Sequence, residues 1–340
     1  MTPPESEPES EPAAGPGQAS EPAPVGRRVV VRYRRPDGSH PPLTDVVGVV
    51  VASDDDALTV EGSRGLVRVR RSDVVVVKAV PPPPVRRGRP HTAVGTTDLE
   101  RLMADGWRAV EEEWLGDWLL RASSGFTHRG CSVLPLGDPG LPPDEAVDRA
   151  EHWYALRRLP PRFHLVLPPS GAVTDDALGA RLDHGGYRLV HPTLVMTGAA
   201  SDIEPTRDGA APVTVEATLS PRWLEAYARQ RESVPGVTDV VLTGSAGQLF
   251  LSTTGRAGEI TAVARVSVHP GWAGLSALWV DPDRRGHGLG RTVLHAVGLV
   301  ARQRRLASVY LQVEVEVDAA VGLYESEGFR RHHQYAYLVR

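Results

Sequence analysis

The stretch LWVDPDRRGHGLGRTVLHAV, residues 278–297, places a glycine-rich loop between an apolar strand and an amphipathic helix. The run LSALWV (275–280) predicts a short strand, and Asp281-Pro282 ends it because proline cannot continue a β-ladder. Apolar residues then recur at helical spacing on one face, at Val293, Leu294, Val297, Val300 and Ala301. A strand that passes into a helix through such a loop is typical of a ligand-binding turn.

The glycines of this loop, Gly286, Gly288 and Gly290, carry no side chain, so successive backbone N–H groups can turn toward a ligand at the positive end of the helix. A pyrophosphate fits such a site. Two familiar phosphate loops do not match. The dinucleotide fingerprint needs its third glycine one residue later, and the P-loop needs a lysine that this loop lacks.

The loop resembles the acetyl-CoA motif R/Q-x-x-G-x-G/A of the GNAT (GCN5-related N-acetyltransferase) superfamily, which Arg285, Gly288 and Gly290 match. A second segment, about 35 residues on, resembles the family pattern A-x-x-L-Y-E-x-x-G-F. It is matched by Ala320, Leu323, Tyr324, Glu325, Gly328 and Phe329. The two motifs occur in the family's order, and the resemblance implies an acetyl-CoA-dependent N-acetyltransferase.

The resemblance also implies roles for individual residues. The strand before the loop would pair with the pantetheine arm, backbone amides of the loop would hold the pyrophosphate, and Tyr324 would be the general acid facing the CoA sulfur. The cofactor-binding set implied in this way is Leu278, Trp279, Val280, Arg285, Gly286, His287, Gly288, Leu289, Gly290, Arg291 and Thr292. Val317 stands where the family often has asparagine, which weakens one cofactor contact. A buried core tyrosine is the alternative for Tyr324.

The acceptor amine must be neutral to attack, and a lysine-like amine of pKa about 10.4 is rarely neutral at pH 7. Candidate bases are Glu259, Glu314, Glu316 and His269, none of which the sequence singles out. We take Glu314 as the catalytic candidate, although a solvated surface role is the alternative for each carboxylate. On SVYLQVEVEV, Glu314 shares one strand face with Gln312 and Glu316.

The order of predicted elements indicates an α+β protein of several units. Residues 1–26 are rich in Pro, Glu and Ser and predict a disordered tail, and residues 27–80 carry short β-branched runs that resemble an SH3-like barrel. Residues 81–97 predict a Pro/Arg-rich linker, 98–200 a degenerate GNAT-like lobe without the glycine loop, and 213–340 the acetyl-CoA-binding catalytic domain. We expect tandem lobes with mixed, mostly antiparallel sheet and flanking helices.

Composition restricts the partners and the compartment. No apolar run is long enough to span a bilayer, and the formal net charge of −4 gives no electrostatic case for nucleic-acid binding by the whole surface, so we do not expect a nucleic-acid partner. Cys131 is the only cysteine, which predicts a small buried hydrophobe and a reducing, cytoplasmic location. His332 and His333 are not accompanied by other metal-ligating residues in a recognisable motif, so we expect surface histidines and no metal.

The expected reaction is transfer of an acetyl group from acetyl-CoA to a primary amine by direct attack, with the amine on a protein or on a small molecule. The acceptor stays open at this stage: a protein lysine, an N-terminus or a small metabolite such as a thiol-sugar amine. The alternative is a non-catalytic acetyl-CoA-binding sensor or adaptor whose barrel recruits a partner.

Overall fold

A computed structural model describes residues 28–36, 41–54, 56–62, 65–79, 89–205, 209–229 and 231–340. The chain divides into two compact units, residues 1–86 and 87–340. The predicted tail, 1–26, and residues 81–88 of the predicted linker lie outside the described residues. Within the described part, strands and helices alternate in the second unit, which confirms the α+β class.

The first unit is a five-stranded antiparallel sheet in the order β4-β3-β2-β1-β5. Its strands are β1 Arg28–Arg34, β2 Leu43–Ser53, β3 Ala57–Gly62, β4 Gly65–Arg70 and β5 Val74–Ala79. The two outer strands share one apolar core, since Val69 of β4 and Val77 of β5 pack into the same cluster as Val31 and Val50. A flat sheet would keep its outer strands apart, so this shared core fits a small barrel.

The second unit begins with α1 Pro90–Ala93 and α2 Thr96–Gly106. Its strands are β6 Glu111–Leu115, β7 Trp118–Ala122, β8 Leu134–Pro135, β9 Arg162–Val166, β10 Arg188–Ala199, β11 Val213–Glu216, β12 Gln248–Thr254, β13 Ile260–His269, β14 Trp272–Val280, β15 Ser308–Glu314 and β16 Arg330–Val339. Its further helices are α3 Pro143–Leu156, α4 Ala177–His184, α5 Pro221–Ala228, α6 Thr238–Thr243, α7 Leu289–Gln303 and α8 Asp318–Ser326. Among the described helices, none has the length and apolar character needed to cross a membrane.

An eight-stranded sheet forms the centre of the second unit, in the order β11-β12-β13-β14-β15-β10-β16-β9. Helix α7 packs on it through Val293, Leu294 and Val297, which are fully buried against strand residues such as Leu251 and Ala264. Strands β14 and β15 run parallel, and the other described neighbours in this sheet run antiparallel. This mixed arrangement is the one the sequence predicts.

Strand β10 joins the two halves of this unit. It lies between β15 and β16, with Leu194 opposite Val313 on one side and Gln334 on the other. The boundary predicted after residue 200 therefore divides the chain but not the sheet, which contains strands from both sides of that boundary. The small sheet β6-β7-β8 and helix α3 enclose a separate core around Trp118, Tyr154 and Phe163.

Three local expectations differ from the structure. The sequence of residues 96–114 has a helical period and predicts one helix, but the helix ends at Gly106, and Glu111–Leu115 pairs with β7, with Gly116 at φ 55° in the turn. Part of the expected linker, Pro90–Ala93, is helical, and the His91 carbonyl accepts a hydrogen bond from Thr197. His333 is not a surface histidine: its ring is buried and lies 2.8 Å from a Glu100 carboxylate oxygen.

Candidate active site

Strands β14 and β15 pair only over their first halves. The register runs from Trp272 opposite Ser308 to Leu275 opposite Leu311 and then stops. Beyond that point Ala277 has a φ of 54°, and the register of β14 against β13 shifts between Val263 and Arg265. Such a bulge bends its strand. Residues 276–280 therefore leave β15, and a wedge opens between the two strands.

The glycine-rich loop follows at the end of β14. Gly286 and Gly288 have φ values of 77° and 80°, a left-handed conformation that favours glycine, and Gly288 is the residue that caps α7. Among the described residues, none accepts a hydrogen bond from the backbone amides of residues 286–291. The resemblance implied that the amides of residues 285–291 hold the pyrophosphate, but the Arg285 amide donates to the Pro282 carbonyl. The set of free amides is therefore one residue shorter than expected at its start, and it ends where expected because the Thr292 amide donates to the Gly288 carbonyl.

The polar side chains around the loop are tied to the protein. Arg285 donates from Nε to the Val280 carbonyl, and Arg291 forms an ion pair of 2.9 Å with Glu327. Glu327 is buried and also lies 3.0 Å from His295 Nε2. This cluster fixes the first turns of α7 to the end of α8. Sequence reasoning missed Glu327 because it falls at a variable position of the tyrosine motif.

A cavity of about 420 Å³ lies in the wedge. Tyr324 lines it from α8, together with Leu278, Glu314 and Val317. Tyr324 is buried, and burial raises its pKa to about 12. The phenol is therefore protonated throughout the physiological range and is a hydrogen-bond donor there. Val317, at the start of α8, brings no polar group to the cavity.

Of the candidate bases, Glu314 is the one that lines the cavity. Its carboxylate is half exposed and lies 3.6 Å from His191 Nδ1. Glu259 lies 3.4 Å from Arg284, and His269 is buried beside Ser267. Neither lines the cavity, and Glu316 is exposed after the end of β15.

The opposite wall comes from the first half of the unit, and no motif in the sequence pointed to it. Trp107, His128 and Arg129 line it, and Arg231 joins them from the segment after α5. Burial, with Arg162, His191 and Arg231 nearby, lowers the pKa of His128 to about 4, so this ring is neutral at pH 7. The loop SSGFTHRG carries no recognisable motif, and the fold alone brings it to the cavity.

These features fit the shape and charge of acetyl-CoA. The amides of 286–291 have no acceptor among the described residues and lie at the start of a fifteen-residue helix, where a pyrophosphate binds well. A thioester arm fits along the unpaired edge of residues 276–280. Trp279 contributes backbone there, since its side chain packs into the core around Trp223 and Phe250. Within the described ranges, no three His, Cys, Asp or Glu side chains are grouped as a metal site needs.

Comparison with known proteins agrees with this geometry. Residues 96–338 match the family described as "Probable histone acetyltransferase Rv0428c C-terminal", and residues 23–78 match the "Rv0428c N-terminal Sm-like domain". The chain is 32% identical over 317 residues to the "Probable histone acetyltransferase Rv0428c" of Mycobacterium tuberculosis, covering 92% of this chain and 95% of that protein.

Two further proteins are similar over most of their own length. The "Uncharacterized N-acetyltransferase YobR" of Bacillus subtilis is 28% identical over 249 residues, which is 71% of this chain and 97% of that protein. The solved structure of a "GCN5-related N-acetyltransferase from Kribbella flavida" has a TM-score of 0.50 at 16% identity, covering 70% of this chain and 92% of that one, and it supports the fold.

The family matches extend over both units of the chain. The wedge, the glycine-rich loop and helix α8, which carries Tyr324, lie in the larger matched region. The fold of that region is the GNAT fold. The small N-terminal sheet fits the Sm-like description of the other region. The chain therefore belongs to the Rv0428c family of GNAT acetyltransferases.

Proposed function

We propose that the protein transfers the acetyl group of acetyl-CoA to a primary amine inside the wedge between β14 and β15. The observation that carries this proposal is the end of β14–β15 pairing at Leu275 and Leu311, with Tyr324 on the wall of the cavity that results. Both the unpaired strand edge and the protonated phenol support a thioester in that cavity.

The amides of residues 286–291 hold the pyrophosphate of the donor in this proposal, with the helix dipole of α7 adding to the attraction. The unpaired edge of residues 278–280 hydrogen-bonds the pantetheine arm. The side chains of Arg285 and Arg291 are engaged by Val280 and Glu327, so they act by holding the loop in shape.

The amine nitrogen attacks the thioester carbonyl carbon, a C–N bond forms, and the C–S bond breaks with its electron pair going to sulfur. Glu314, or water next to it, takes the proton that leaves the amine. Tyr324 donates a hydrogen bond to the departing sulfur. With a phenol pKa of about 12 against about 8.5 for a thiol, complete proton transfer would cost about 5 kcal/mol, so Tyr324 stabilises the thiolate and keeps its proton.

Residues 98–200 act as a degenerate lobe in this proposal. This part of the chain lacks the glycine loop, yet it supplies Trp107, His128 and Arg129 to the cavity and β10 to the shared sheet. Its contribution is the acceptor side of the site. The cavity volume of about 420 Å³ is in the range of small-molecule pockets and admits a small amine or a lysine side chain.

Calorimetry tests the donor site directly. Acetyl-CoA is expected to bind, and acetyl-pantetheine, which lacks the pyrophosphate, is expected to bind at least tenfold more weakly because the loop amides lose their partner. Equal affinity for both compounds, or no binding of acetyl-CoA at high micromolar concentration, would count against the proposal.

Mass spectrometry of acetylated products, after incubation with acetyl-CoA and cell extract, tests for transfer. Products that carry one acetyl group on nitrogen are expected, and a heat-denatured sample controls for chemical acetylation. The Mycobacterium tuberculosis relative is named for histones. Peptide and small-molecule fractions are therefore analysed separately, because they distinguish the two acceptor classes.

A further inference from the structure

Arginines inside the second unit differ in whether their side-chain N–H groups have hydrogen-bond acceptors. Arg265 is fully buried and donates to the carbonyls of Leu242 and Gly106 and to the Ser245 hydroxyl. Arg121 is equally buried and donates to the carbonyl and hydroxyl of Ser132. Both are structural residues whose charge is solvated by the protein.

Arg129 is different. It lines the cavity, its Nε is buried, and that atom has no hydrogen-bond partner among the described residues. No described carboxylate forms an ion pair with it, and its guanidinium lies 5.2 Å from the centre of the Trp107 ring. A buried donor without a partner is costly, and on a side chain that lines a cavity it indicates a guanidinium with room for a ligand's acceptor group.

The charge of the cavity wall agrees with this. Arg129, Arg231, His128 and His191 contribute nitrogen donors or positive charge, and Glu314 is the one carboxylate among the described lining residues. Arg231 is exposed and forms no ion pair with a described residue. The wall therefore offers one acidic position for an amine and several basic side chains for an anion.

We propose that the acceptor is a small amine that also carries an anionic group, a carboxylate or a phosphate, which binds to Arg129. This inference rests on the proposed acetyl transfer and names the acceptor class of that site. The planar guanidinium fork presents paired N–H donors, which match the two oxygens of a carboxylate or phosphate. Glu314 then faces the amine end of the same molecule.

A purely structural role for Arg129 is the competing explanation, because Tyr310, Tyr335 and Tyr337 also lie near its guanidinium. Trp107 already has Arg265 stacked at 5.4 Å from its ring centre, so it does not depend on Arg129 for a cation. A structural arginine would also be expected to have its Nε bonded, as those of Arg121 and Arg265 are.

The first test compares amines that differ only in charge. β-Alanine is compared with β-alaninamide, glycine with glycinamide, and 2-aminoethyl phosphate with ethanolamine, and kcat/KM is expressed per neutral amine. We expect at least a tenfold preference for one anionic class, and the carboxylate and phosphate pairs show which. Equal rates within every pair would overturn the inference without the use of any variant.

The second test uses Arg129→Gln, Arg129→Lys and the control Arg188→Gln, whose arginine is exposed at the start of β10. We expect Arg129→Gln to lower kcat/KM for the anionic amine about 10- to 100-fold and leave acetyl-CoA affinity unchanged. Arg129→Lys should recover part of the loss, and Arg188→Gln should behave as the wild type. A loss in Arg129→Gln that is equal for the charged and uncharged members of a pair would indicate a structural role only.

The third test needs no turnover. Succinate and inorganic phosphate are added to the protein at constant ionic strength, with chloride as the reference, and Tm is measured. A ligand that binds the folded state raises Tm, so at least one of the two anions should raise it for wild type and Arg188→Gln, and not for Arg129→Gln. No rise in wild type, together with no preference among the amine pairs, would sink the inference. Failure of acetyl-CoA binding would instead contradict the proposed function, and the Tm measurement would still report whether an anion binds at Arg129.

Discussion

At the scale of single residues, Tyr324 carries the most specific chemical expectation. Replacement by phenylalanine removes one hydroxyl from a buried ring that packs 5.9 Å from Phe329, and the shape of the core is kept. We expect kcat to fall about 10- to 100-fold with acetyl-CoA affinity within twofold, because the hydroxyl stabilises sulfur only as the C–S bond breaks. Steady-state kinetics and calorimetry on the same preparation separate the two effects.

Tyr187→Phe is the matched control for that experiment. Tyr187 is also buried, and its hydroxyl donates to Glu151 in the core formed by α3 and β7. The loss of its hydroxyl should lower stability and leave kcat unchanged. If Tyr324→Phe and Tyr187→Phe reduce kcat to the same extent, Tyr324 has no part in the chemistry.

Residues inside a local motif are the ones that the sequence can select as candidates. Tyr324, Gly286 and Gly288 were selected because the spacing around them is set by one helix or one turn. Arg129 and Glu327 were missed, because each gains its role from residues far away in the chain, such as Trp107 across the cavity wall or His295 on α7. Cys131 was expected to be a small buried hydrophobe, and its burial confirms that.

At the scale of elements, β14, the glycine-rich loop and α7 act as one structural unit, which positions the loop amides. Val at position 288 would have to adopt a φ of 80°, which is strained for a β-branched residue, so the loop would refold and its amides would no longer converge. We expect Gly288→Val to weaken acetyl-CoA binding at least tenfold, measured by calorimetry.

Two controls accompany this variant. Gly171, at φ 77° in the loop before α4, meets nothing within 4 Å of an added Cβ, so Gly171→Val carries a similar backbone strain away from the cavity. Gly290 has room for a Cβ, 3.5 Å from Leu323, and lies in the helix, so Gly290→Ala should be tolerated. A similar loss of affinity in Gly171→Val would mean that general destabilisation, not the loop, explains the effect.

The order of the elements along the chain was predicted from hydrophobic period and turn residues, and their pairing was not. The segment RLVHPTLVMTG reads as a strand, but nothing in it specifies that β10 inserts between β15 and β16, more than one hundred residues later. The end of β14–β15 pairing depends on the bulge at Ala277, which has no local signature. The wedge was expected from the resemblance, and its exact position comes from these non-local contacts.

At the scale of the whole molecule, β10 makes the two halves of the second unit one cooperative body. A strand with neighbours from the C-terminal half on both sides cannot leave without breaking the sheet at its centre. Residues 98–200 and 213–340 are therefore expected to unfold in a single transition. The first of the seven tryptophans is Trp107 and the last is Trp279, so tryptophan fluorescence follows this unit.

The stability of this unit is expected to fall as the pH decreases from about 6.5 to about 4.5. Burial lowers the pKa of His91, His164 and His269, and it lowers that of His128 to about 4 with help from Arg162, His191 and Arg231. Above pH 6.5 these rings are neutral in both states. Below it the unfolded chain binds protons that the folded chain does not, which lowers the free energy of the unfolded state and so reduces stability.

The urea midpoint, followed by tryptophan fluorescence, should therefore be lower at pH 5 than at pH 7. His128→Phe keeps an aromatic ring against Tyr337 and removes one titrating group, so the difference between the two midpoints should shrink. His152→Gln, at an exposed position on α3, should leave the difference between the two midpoints unchanged. A midpoint that does not change from pH 7 to pH 5 would show that these rings are as free to bind protons in the folded chain as in the unfolded one.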